Sequence, residues 1–141
     1  MDHIVYLDAK SSELENLLSG KKTMIIRGAT GRKLPYGRVD SGDVLYFINN
    51  NAEGEVRAKS IVVNVFNSEK MEEAESISLV KKNQNKLQLS EKQFDKWAGK
   101  GYIVLIEVKN VESIKPFAID RGDYGNMDDW LPVEDVNKVK K

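Results

Sequence analysis

Short strand-like and helix-like runs interleave along this chain without the regular strand–helix–strand rhythm that a parallel sheet demands, and this confines it to an α+β architecture. Ile4–Leu7 is a β-rich run, and Ser12 with Glu15 three residues later is the pairing that satisfies free amides at a helix start. Leu14, Leu17 and Leu18 give that helix an apolar face, and Gly20 supplies the left-handed residue that ends it. Thr23–Arg27 is a second strand. Val44–Ile48 and Val56–Phe66, separated by Asn49-Asn50-Asn51 and Gly54, form a hairpin.

Met71, Ala74, Ile77 and Val80 recur at helical spacing in the charged stretch Ser68–Lys82, which predicts an exposed helix. Ser90 with Gln93 is a further capping pair, for a short helix that carries Phe94 and Trp97 and stops at Gly99. Tyr102–Val108 alternates as a strand. Pro132, at a helical first turn, predicts a terminal helix with Val133, Val136 and Val139 facing inward. No repeat or linker divides the 141 residues, so one domain is expected over the whole chain.

Composition removes several function classes. There is no cysteine, hence no thiol nucleophile and no sulfur-held zinc, and His3 is the sole imidazole, which rules out multi-histidine metal sites. Apolar runs last only a few residues, so no membrane span is expected. The first ten residues lack the pattern of an export signal, which makes the cytoplasm the expected compartment.

Basic and acidic residues balance at 22 each, so any attraction for nucleic acid must come from local segregation of charge. Such segregation exists. Between Glu15 and Asp40 there is no acid, while Lys21, Lys22, Arg27, Arg32, Lys33 and Arg38 all fall in the gap. Alternation from Thr23 places Thr23, Ile25 and Arg27 on one face, which suggests a polar cleft beside the core. Gly28, Gly31 and Gly37 allow close backbone approach, and Tyr36 is available to stack on a base. Two readings of this segment stay open: a phosphate-contacting site, or a solvated loop with Arg27 paired to Asp40 or Asp43.

The run from Leu17 through Gly20-Lys21-Lys22-Thr23 to Arg27, followed by Gly42-Asp43-Val44-Leu45 and later Tyr102-Ile103-Val104, resembles the ASCH domain of the PUA-like superfamily. The resemblance spans the first strand to about Val108, with 110–141 as a C-terminal extension packed on the barrel. It implies a small mixed β-barrel with flanking helices, and a cleft that binds RNA or a modified nucleoside through Lys21, Lys22, Thr23, Arg27, Arg32, Lys33, Tyr36 and Arg38. No cofactor is implied, and the oligomeric state is left open.

Some bacterial members of that family resemble amidohydrolases acting on acetylated cytidine through a lysine, a threonine and a glutamate. Lys22 matches the lysine and Glu91 the glutamate, but Ile25 stands where the threonine is expected, and isoleucine has no oxygen with which to attack. A binding module is therefore the favoured expectation and the amidohydrolase the alternative. Trp130 reads as a core residue or as a side chain closing the cleft. Asp120, Asp123, Asp128 and Asp129 around Gly122 and Gly125 fit no calcium loop and read as turn formers, so no metal is expected.

Overall fold

The apolar runs become six strands: β1 (Asp2–Leu7), β2 (Met24–Ala29), β3 (Val44–Asn49), β4 (Glu55–Asn67), β5 (Tyr102–Ala118) and β6 (Trp130–Glu134). The computed structural model describes residues 1–122 and 128–141. The strands form one mixed sheet in the order β2-β5-β4-β3-β1-β6, antiparallel except for the β1–β3 pair. Three register shifts along the β4–β5 ladder mark places where the two long strands bend, because a bulge increases twist locally. The sheet curls into a half-barrel flanked by helices, which is the expected α+β class.

Both faces of β2 are buried. Ile25 joins Val5, Leu45, Phe47, Ile106 and Trp130 in the barrel core. Met24 and Ile26 face the other way, beneath Val80, Leu87 and Leu89. Those three belong to a helical layer of α2 (Glu73–Lys82), α3 (Gln84–Leu87) and α4 (Glu91–Trp97), while α1 (Glu13–Leu18) follows β1. The Ser90–Gln93 capping box forms as the sequence indicates, and Gly99 takes φ +96° just beyond α4. No helix among the described residues is long and apolar enough to cross a membrane.

Two local expectations are corrected. Ser12 does precede α1, but it sits at φ 54° with no side-chain cap bond. The preceding 3-10 turn is capped by Asp8, and Glu13 rather than Glu15 reaches back, accepting from the Asp8 amide at 2.9 Å. At the other end the expected terminal helix is β6 followed by a 3-10 turn over Val136–Lys138. Val133, Val136 and Val139 are buried as expected, packed on the outer face of β1 and β3 with Ile4 and Ile48. Pro132 is tolerated because β6 is an edge strand, where a missing N–H removes no ladder bond on the open side.

Candidate functional site

β2 and β6 are the two outer strands of the sheet, and Arg27 ties one end to the other. It shares the Ile25 face of β2, as alternation requires, and is only 5% exposed. Its guanidinium donates to the carbonyls of Ile26 and of Tyr6 in β1, each at 2.7 Å. Nε lies 3.2 Å from the Asp129 carboxylate just before β6, a charge contact without hydrogen-bond geometry. Asp40 and Asp43 take no part in it. The guanidinium carbon is 5.6 Å from the ring centres of both Trp97 and Trp130, so two indoles hold the cation at the seam.

A cleft of about 460 Å³ opens between this seam and α4. Arg27 and Glu13 line its base, Tyr6, Asp8 and Asn50 come from strand ends, and α4 contributes Lys92, Gln93, Lys96 and Trp97. Four cations, counting Lys10, face three carboxylates, those of Asp8, Glu13 and Asp129. A neighbouring hollow of about 420 Å³ shares Arg27, Lys96, Trp97 and Asp129 and adds Lys33 and Lys100. Gly28 lets β2 pack closely on β5 beside this hollow, since a Cβ there would come within 2.9 Å of Ile103 Cδ1.

Behind the cleft lies a buried ion pair. Lys22 is 1% exposed and Glu13 4%. Lys22 Nζ is 3.3 Å from Glu13 Oε2 and donates to the Leu87 carbonyl, which anchors the lysine to the end of α3. Burial pushes the Lys22 amine below its usual range, and the charge of Glu13 offsets part of that.

The structure therefore disperses the acid-free segment. Lys22 and Arg27 turn inward, Lys22 behind the cleft and Arg27 lining it. Lys21, Arg32, Lys33 and Arg38 are exposed. Arg32 lies over Tyr36 and Tyr102, and Lys33 is 3.6 Å from Asp128 in the second hollow. Tyr36 donates its hydroxyl to the Ser68 carbonyl and packs edge-on against Tyr102, so it is a structural strut. Thr23 pairs through its backbone with Lys86 and Val108 and does not line the cleft. Glu91 is exposed at the start of α4 and is absent from the cleft lining, and Ile25 is wholly buried in the core.

Glu13, Gln93, Lys96 and Trp97 went unmarked as site residues because each reads locally as part of a helix cap or helix face. Only the fold carries them to one wall. Asp120 accepts from the Gly122 amide at 2.8 Å as a turn former, while Asp123 and Gly125 lie outside the described residues. Among the described residues no cluster of three or more His, Cys, Asp or Glu could hold a metal ion.

Trp130 is a core residue, with 0% exposure. Its indole N–H donates to His3 Nδ1 at 3.1 Å, so the imidazole proton sits on Nε2 and is given to Asp43 at 2.8 Å. Burial lowers the His3 pKa from 6.5, with Asp43 and Asp2 pulling it up and the N-terminal amine pushing it down. Protonation would put a second N–H opposite the indole N–H. The contribution of neutral His3 to stability is thus complete above the free-histidine value of 6.5 and is lost as the pH falls below it. Thermal unfolding at pH 7.5 and 5.5 should show a drop that a His3→Gln variant shows less, because few carboxylates titrate in that window.

The chain superimposes on crystal structures of ASCH from Zymomonas mobilis at 16% identity, with a TM-score of 0.67 over 97% of this chain and 92% of that one. A Tyr-to-Phe mutant of the same protein matches with the same score and identity, covering 94% of its own length, and a Ser-to-Ala mutant matches as the unmutated protein does. No family model and no curated protein matches the sequence.

Proposed function

From the premise that this chain has the ASCH fold, we propose that it binds a nucleobase in the cleft between the Arg27 seam and α4, with the base carried by RNA or by a free nucleoside. The observation that carries this reading is the cleft itself. Its volume of about 460 Å³ falls in the range of small-molecule sites, roughly 300–1,000 Å³. Its base holds an arginine fixed against two indoles, and its rim carries Lys92 and Lys96 on one side of α4. An aromatic ring packs a base irrespective of sequence, and rim lysines meet phosphate. The adjoining hollow, with Lys33 and Lys100, gives a flanking nucleotide a place to lie.

The amidohydrolase alternative has less support. Ile25 is buried, Glu91 does not line the cleft, and Lys22 is enclosed by Glu13 and Leu87.

Titrating the chain with a single-stranded RNA at rising salt tests the reading. Log affinity should fall linearly with log salt, and a Lys92→Ala, Lys96→Ala variant should bind about tenfold more weakly, with a slope smaller by roughly 1 to 1.5. Binding of nucleoside without RNA would narrow the ligand to the free form. Binding of neither would end the proposal.

A further inference from the structure

Glu13 is the one carboxylate lining the cleft that is nearly enclosed by protein, whereas Asp8 and Asp129 are partly exposed. Its two oxygens receive one protein donor each: Oε1 the Asp8 amide at 2.9 Å, and Oε2 the Lys22 ammonium at 3.3 Å. A carboxylate accepts at about four lone-pair sites, so roughly two remain for whatever occupies the cleft. Asp8 also takes one donor on each oxygen, the Lys10 amide and the Ser11 hydroxyl, and Asp129 meets Arg27 Nε, but both are partly exposed and leave their remaining sites to water, whereas Asn50 Oδ1 is taken by the Ala9 amide and Gln93 Oε1 by the Ser90 amide of the capping box.

We infer that Glu13 selects the ligand: its carboxylate accepts a hydrogen bond from an exocyclic amino group, so the cleft takes amino-bearing bases over their oxo counterparts. This rests on the reading of the cleft as a nucleobase site. A carbonyl at that position would set a second acceptor against a buried carboxylate with no proton between them. Sites built around a buried polar group reject analogues that cannot pair with it far more strongly than apolar pockets reject a change of size. Lys22 acts here as a positioning residue, because it holds the carboxylate in place from behind and does not line the cleft.

Calorimetric titration with two matched pairs, cytidine against uridine and adenosine against inosine, reads this directly, since each pair exchanges an amino group for a carbonyl. The amino member of whichever pair binds should bind about tenfold or more tightly. Glu13→Gln should bring the two members within a few-fold of each other. Should that single change unfold the chain, the Glu13→Gln, Lys22→Met variant removes both charges together and should show the same loss of preference. Equal binding of the pair by the unaltered chain, or a preference that survives these substitutions, overturns the inference and leaves the nucleobase site standing. Where no free nucleoside binds, the same base exchange within a short single-stranded RNA reads the preference, and binding of neither form overturns both.

Discussion

Lys22→Ala should destabilise the chain by about 3–5 kcal/mol, because it strands the Glu13 carboxylate in a buried site without its counter-ion. Only the Asp8 amide would then remain as a protein donor to Glu13, and the Leu87 carbonyl would lose a donor as well. For a domain of this size, that corresponds to a fall in Tm of roughly 10–20 °C. The double replacement Lys22→Met, Glu13→Leu should cost less than either single change to a small residue, since removing both charges together avoids the stranded ion. Chemical denaturation of Lys22→Met, of Glu13→Leu and of the double completes the cycle. A loss below about 1 kcal/mol for Lys22→Ala would mean that the pair behaves as a solvated surface bridge.

Trp130→Ala is expected to cost a comparable amount, about 3–5 kcal/mol, through the cavity it opens in the barrel core. Trp130 is among the largest fully buried side chains, and it also supplies the donor for His3 Nδ1 and one of the two rings against Arg27. Trp130→Phe keeps much of the volume but leaves the imidazole acceptor without its partner, a penalty of about 1–3 kcal/mol. Equilibrium unfolding should therefore rank the variants with alanine below phenylalanine and both below the parent chain. Equal stability of phenylalanine and tryptophan at this position would show that the indole–imidazole bond contributes nothing.

The sequence pattern was most legible where one element imposes its own period. Val44–Ile48, Val56–Phe66 and Tyr102–Val108 are strands in the structure, and the Ser90–Gln93 cap starts a helix. Legibility ended where a partner element decides. β5 runs on to Ala118 although alternation fails after Val108, because β4 offers a ladder along almost its whole length and absorbs the mismatch in bulges. The three-residue spacing of Val133, Val136 and Val139 suggested an α-helix, yet a strand end and a 3-10 turn bury the same residues, since 3-10 geometry also repeats every three.

The cleft shows the same division. Lys22 and Arg27 stand out in the sequence as cations in an acid-free run. The acids that answer them, Glu13 and Asp129, lie outside that run, Asp129 by 102 positions from Arg27. A charge census along the chain therefore described an open basic segment. The fold instead sets acids against its two inward members and leaves Lys21, Arg32, Lys33 and Arg38 exposed, Lys33 in the hollow beside the cleft.

The most direct test of the account follows the two indole N–H signals by NMR while cytidine monophosphate is added, a simple reading because the chain has only two tryptophans. The account predicts that Trp97, which lines the cleft, shifts strongly and saturably together with the Arg27 Nε–H and the Gln93 side-chain amide, while Trp130, sealed in the core, shifts less. Saturable shifts confined to the exposed segment around Arg32 and Arg38, with Trp97 unmoved, would contradict it and return the binding site to the loop.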